Sequence, residues 1–225
     1  MRYSFMVLLL FLTCFAHAQF AIVADKDGFT NIRSKPGISR QITGKVLNND
    51  IIYCYESEGE WCYVDYYSEG EIQTGYIHQS RIRKIDQLPQ LQAVKPAAAD
   101  KYIFRHDSIQ VSLTTGKFIP ENPSQATENY YKSINRKPIW GTDGNVPRRQ
   151  YKGLEVKWKM QQTAVPDSSL KGLFEPDPER TVIYYDAPQQ RLFITATNSD
   201  GAGSYEVLWW FDKGVFQRRA VFHGF

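Results

Sequence analysis

Cysteine is nearly missing from this chain. There are 3 in 225 residues, at positions 14, 54 and 62, and none between 101 and 225. The second half therefore holds no thiol nucleophile for a histidine partner to activate. Histidine is almost as scarce, with 4 in all and only His106 and His223 beyond residue 100. Zinc hydrolases need histidines and carboxylates clustered at short spacings, and no such spacing occurs. We expect no metal and no cofactor. Charge of one sign is not concentrated either. The net charge is +3, from 27 Lys and Arg against 24 Asp and Glu. Residues 20–85 carry 8 basic and 9 acidic side chains, a net of −1, and residues 101–225 carry 17 and 13, a net of +4. That excess suits an acidic protein or polymer but is too small for a nucleic-acid footprint, so no nucleic-acid partner is expected.

Long apolar runs are also lacking, apart from one at the start. Arg2 precedes an apolar stretch over 5–11, and Ala16-His17-Ala18 follows as a small-residue cleavage site. This is the pattern of an export leader over 1–18, too short to span a bilayer, with a mature chain starting at Gln19. The expected location is the periplasm or the exterior. Lipid anchoring at Cys14 is the alternative, which Phe11-Leu12-Thr13 fits poorly. No later run is long enough to cross a membrane.

What is present is aromatic. Phe, Trp and Tyr make up 14% of the chain and charged residues 23%, the composition of a folded, β-rich protein. Short alternating segments punctuated by Gly, Asn, Asp and Pro follow one another from residue 20. Gly28-Phe-Thr-Asn-Ile-Arg-Ser-Lys-Pro-Gly37 opens this region, a hairpin over 51–67 built around Glu58-Gly59 follows, and Gly75-Tyr-Ile-His-Gln-Ser-Arg-Ile82 ends it. These stretches resemble the bacterial SH3-like (SH3b) domains of cell-envelope proteins, over roughly residues 20–85. The resemblance implies a small closed β-barrel over 19–85. In it Ile32 would anchor the arm in the core, with Asn31 and Arg33 fixing it. It also implies a binding module for cell-wall peptide or glycan. Exported Cys54 and Cys62 lie on the two arms of the hairpin. If Glu58-Gly59 is the turn they face each other, and both a disulfide and a pair of buried thiols fit.

Alternation sends about half of Tyr53, Tyr55, Trp61, Tyr63, Tyr66, Tyr67 and Tyr76 outward. Trp61, Tyr63 and Tyr76, with Arg33, are the candidate ligand-binding residues of this half; packing inside the barrel is the competing role of Trp61 and Tyr76. Residues 86–100 hold two prolines and no period, and read as an extended linker. The remainder, 101–225, reads as a β-rich α+β domain with one or two short helices. A helix is expected over 124–134 with Ser124 as cap, and a helical turn or two over 168–174. Strands are expected over 102–104, 109–113, 154–158, 181–185 and 192–197. A final hairpin over 205–222 turns at Lys213-Gly214.

Two Gly-rich loops in this half each set a carboxylate beside glycines: Gly141-Thr-Asp143-Gly and Asn198-Ser-Asp200-Gly-Ala-Gly203. Their aspartates can close their own turns, share a ligand, or form a glycosidase pair. Ser168-Ser169-Leu170-Lys171 matches Ser-x-x-Lys, but no second motif of that class accompanies it. Arg148-Arg149 and Arg218-Arg219 read as solvated basic faces. Gly203-Ser204-Tyr205 is reminiscent of the loop that secreted lysozyme inhibitors offer to their enzyme, though order and spacing differ. That places Tyr205 with Asp143 and Asp200 among the candidate ligand-binding residues, and keeps a protein partner in view. The favoured reading is a non-catalytic envelope binding protein. A wall-acting hydrolase using Asp143 and Asp200, and an inhibitor of a wall-degrading enzyme, are the alternatives.

Overall fold

The computed structural model describes residues 18–98, 100–120, 133–134, 137–142 and 145–224. Cys14 and Asp143 lie outside the described residues. Among the described residues the protein is mainly β, with three antiparallel sheets, a two-stranded ribbon and short 3-10 turns in place of α-helices.

The first sheet holds β1 (Gln19–Val23), β2 (Phe29–Arg33), β3 (Ile42–Leu47), β4 (Ile51–Glu58), β5 (Trp61–Ser68), β6 (Glu71–His78) and β7 (Ile82–Lys84). Their order is β3-β2-β6-β5-β4-β1-β7. Residues from one edge strand (Val46) and from the strand beside the other edge (Ala21, Val23) share a single core with Ile32, Ile52, Cys54, Cys62, Val64, Tyr66 and Ile77. The sheet therefore curls round its own apolar face. It stays open, because β3 and β7 do not pair.

Gly75 permits this curl. A Cβ there would lie 2.3 Å from Ile32 Cγ2 and 3.0 Å from the Arg33 carbonyl oxygen. Ile32 is fully buried and Arg33 O is backbone, so neither yields cheaply. Gly75→Ala should cost about 2 kcal/mol and displace β2, read by urea denaturation.

The hairpin forms where expected but turns one residue later. Gly59 takes φ 60° in the turn and Glu58 pairs with Trp61. The turn register sets Cys62 opposite Ser57, and a bulge between Cys54 and Ser57 then sets Cys54 opposite Val64. The two cysteines are not cross-strand partners; both are free, buried thiols in the curled core. Cys62 is the more acidic, lowered to about 6, because the Cys54 thiol and the Ser57 hydroxyl (3.3 Å) bond to its sulfur.

The second sheet runs β14-β13-β10-β9-β8, from β8 (Gln92–Ala98), β9 (Lys101–His106), β10 (Ile109–Lys117), β13 (Arg149–Trp158) and β14 (Gln161–Ala164). Within 86–100, expected to be an extended linker, the backbone makes sheet contacts. Leu91 N–H donates to Ile183 O, Tyr185 N–H donates to Pro89 O, and β8 adds to β9. Of the helix expected over 124–134, residues 124–132 lie outside the described residues, while β11 (Ser133–Ile134) pairs with β12 (Lys137–Pro138). The turn expected over 168–174 is a 3-10 turn at Asp167–Ser169.

The third sheet, β15 (Thr181–Asp186), β16 (Arg191–Asn198), β17 (Tyr205–Asp212) and β18 (Val215–His223), is the middle layer. One face carries Ile183, Leu192, Ile194, Tyr205, Val207, Trp209, Phe211 and Val221 into the core shared with the second sheet. The other face sends Phe193, Leu208, Trp210, Ala220 and Phe222 against Phe20, Ile22, Ile51, Tyr53 and Ile85 of the first. A strand covered on both sides has no need of polar alternation. That is why β17 reads Tyr-Glu-Val-Leu-Trp-Trp-Phe-Asp, with Val207 to Phe211 continuously buried. The seam with the first sheet is also polar at its margins. Arg83 pairs with buried Asp186, Arg218 with Asp50 at 3.1 Å, Arg191 donates to Asn49 Oδ1 at 2.9 Å, and Tyr67 OH donates to Val221 O at 2.6 Å. Arg218 thus remains exposed while pairing across the seam, and Arg219 donates to Lys171 O at 3.1 Å.

Candidate functional site

The outward face of the first sheet is built by strand register. Trp61 faces His78, Tyr63 faces Tyr76, and Tyr76 faces Arg33, so these five side chains stand on one face of β5, β6 and β2. Tyr53, opposite Asp65 on the same face, is covered by Phe222 of the middle layer at 5.8 Å. The middle layer thus covers this face over β1 and β4 and leaves it open over β5, β6 and β2. The open part is a chain of rings: Tyr55 to Tyr63 at 6.0 Å, Tyr63 to Tyr76 at 5.2 Å, and Trp61 edge-on to His78 at 5.2 Å.

Beyond Arg33 and Tyr76, the one position at which they pair, β2 and β6 part. A cleft of about 180 Å³ opens there, lined by Asp25, Asp27, Phe29, Asn31, Arg33, Ile38, Trp61, His78 and Arg81. Its walls are held rigidly. Asp25 is buried, bonds Arg81 at 2.9 Å and accepts the Asp27 N–H at 3.0 Å. Arg33 donates to Arg40 O at 2.6 Å, which fastens the loop carrying Ile38. Ile38 itself is 77% exposed at the rim. Lys45 Nζ sits 3.6 Å above the ring of Phe29.

His78 and Ser80 are bonded at 2.8 Å, but they form a local cap. His78 Nδ1 also accepts the Ser80 N–H at 3.2 Å, closing the 3-10 turn Gln79–Arg81. The cleft offers aromatic edge, a guanidinium and carboxylates: the chemistry of recognition.

Of the residues singled out from sequence, Arg33 and Trp61 line this cleft, and Tyr63 and Tyr76 continue its face. Asp25, Asp27, His78 and Arg81 were missed. The register Trp61 to His78 would have found His78, but Asp25 and Arg81 meet across 56 residues.

Of the second-half candidates, Asp143 lies outside the described residues. Asp200 is exposed, before a 3-10 turn that its side chain does not cap. The two Gly-rich loops do touch, since Ser199 Oγ donates to Gly141 O at 3.1 Å. Tyr205 is fully buried, and its hydroxyl donates to Phe174 O at 2.9 Å. It packs the core instead of reaching a ligand, because β17 is covered on both faces. Among the described residues no group of His, Cys, Asp and Glu could hold a metal ion, and no helix is long and apolar enough to cross a membrane.

No family model, curated protein or solved structure matches this chain.

Proposed function

We propose that this is an exported, non-catalytic binding protein of the cell envelope, whose SH3-like first half takes cell-wall peptide or glycan in the cleft between β2 and β5–β6. The observation that supports this reading is the meeting of Arg33 and Trp61 in one recess, beside Asp27, Asn31 and His78. A short peptide or a sugar unit matches the recess in size. Trp61 supplies an apolar edge, and Arg33 and Asp27 supply charge of both signs for a ligand that carries both. The tyrosine ladder extends the surface along the strands, as a polymer requires.

The test is co-sedimentation of the whole protein with purified sacculi. The isolated stretch 20–85 is unsuitable, because it would lay bare Phe20, Ile22, Ile51 and Tyr53. Wild-type protein pellets, Trp61→Ala lowers affinity by about tenfold, as loss of one aromatic anchor does, and Asp200→Asn changes nothing. A pelleted fraction near zero for wild type, or equal for Trp61→Ala, rejects the reading.

A further inference from the structure

A second recess lies at the seam between the first and third sheets, away from the cleft just described. It has a volume of about 210 Å³, and its lining includes Phe20, Tyr53, Asp86, Tyr184, Thr197 and Glu206. Glu206 stands on the face of β17 that carries Leu208 and Trp210, opposite Phe222 in register. Thr197 Oγ1 donates to its Oε2 at 3.0 Å. A carboxylate accepts about four hydrogen bonds, and no other described residue donates one to Glu206. Arg180 also lines the recess, with its guanidinium engaged elsewhere: its Nε bonds Asp177 at 2.7 Å and its Nη2 donates to Ser199 O at 2.5 Å. Asp86, on the opposite wall, faces the Gln19 carboxamide; with that amide turned so that its nitrogen meets the carboxylate, it donates to both Asp86 oxygens and its own oxygen accepts from Lys84 Nζ at 3.2 Å.

The recess is therefore lined by two carboxyl groups, one from each wall, and by aromatic rings. The ring faces are largely taken, since Tyr53 stacks on Phe222 and meets Phe20 edge-on at 5.1 Å. Flat stacking of a sugar has little room, whereas a slim apolar stem fits between the rings. We propose that this recess binds a primary ammonium group carried on a short carbon stem, with Glu206 and Asp86 taking the charge. The inference stands independently of the wall-binding reading.

The state of Glu206 fits this role. Burial raises its carboxyl to about 7, against the opposing pull of Thr197 and Arg180. Ionising it is costly until a cation arrives. The other titratable groups around it are Tyr53 on β4, Tyr151 on β13, Tyr184 on β15, and Asp86 with Lys84 beyond Gln19.

Ligand and proton compete for one carboxylate. Binding is then strongest above the pKa of Glu206 and weakens as the pH falls through it, by up to about tenfold per unit.

The experiment is an NMR titration of the whole protein, following the methyl groups of Thr195 and Thr197. The probes are n-butylammonium and glucosamine, with 1-butanol and glucose as their neutral counterparts. Saturable shifts with butylammonium, absent with the neutral probes, are expected. Response to glucosamine alone, whose ammonium sits directly on the ring, would overturn the short-stem proposal. Glu206→Gln keeps the shape and the Thr197 contact, and should weaken binding about tenfold or more while removing its pH dependence. Asp86→Asn should weaken it without removing that dependence. Equal response to neutral probes, no saturable response to either amine, or unchanged affinity in folded Glu206→Gln would overturn the proposal.

Discussion

Trp209→Phe should lower the stability of this protein by about 2–3 kcal/mol, while the same change at its neighbour Trp210 costs less than about 1 kcal/mol. Both side chains are buried in the middle sheet, but they point to opposite faces. Trp209 lies in the core shared with the second sheet, edge-on to Tyr151 at 5.2 Å, and its indole N–H donates to Ser169 O at 3.0 Å. Phenylalanine there loses the bond, strands a carbonyl and leaves a void. Trp210 faces the first sheet, between the guanidinium groups of Arg191 and Arg218, 5.5 and 5.2 Å from its ring. Its indole nitrogen is buried without a partner. Phenylalanine there removes an unsatisfied donor, which offsets most of the lost area. In thermal unfolding the first variant should melt about 5–10 °C below wild type and the second within about 3 °C. The reverse order would mean that the two faces of β17 are assigned wrongly.

The second large effect is expected at the seam. Arg83→Ala should cost about 3 kcal/mol, because it leaves a buried carboxylate without its cation. The Asp186 side chain is 3% exposed and that of Arg83 38%. Asp186 Oδ1 also faces the Gln189 N–H at 3.4 Å, too long to compensate. The pair joins β7 to β15, so it fastens the two halves of the chain. Urea denaturation of Arg83→Ala should still show one transition, since the seam core of Phe20, Tyr53, Phe193 and Phe222 stays intact. Adding Asp186→Asn should recover at least half of the loss. Recovery of none would show that the pair acts through packing instead of charge.

The contrast between these two sites shows how unevenly the sequence discloses the fold. Elements with strong local signals were legible. The hairpin turning at Lys213-Gly214, with φ 50° and 81°, and the strands at 181–185 and 192–197 stand as expected. The first half of β6 and all of β14 were not expected. Glu71, Gln73 and Thr74, like Gln161 and Gln162, are polar and exposed, so no alternation marks them. The partners of the cysteines depended on where the hairpin turns and on a bulge beyond it, and a shift of one residue changes every facing pair. Tyr205 followed a glycine-rich loop and looked accessible; only the third sheet's two covered faces show it to be core. For the candidate site, Arg33 and Trp61 were readable as an arm and a hairpin aromatic, but Asp25 and Arg81 were not, because an ion pair between distant segments leaves no periodic trace.

The sequence by itself determined that this chain folds as β-structure, that an aromatic face runs along 53–78, and that no cysteine–histidine chemistry is available in its second half. These follow from composition and period, which act over a few residues. Only the tertiary structure decided which part of that face stays open, because burial is set by whatever packs on top. Here the β17–β18 hairpin, some 150 residues downstream, covers Tyr53 and leaves Trp61 beside a cleft.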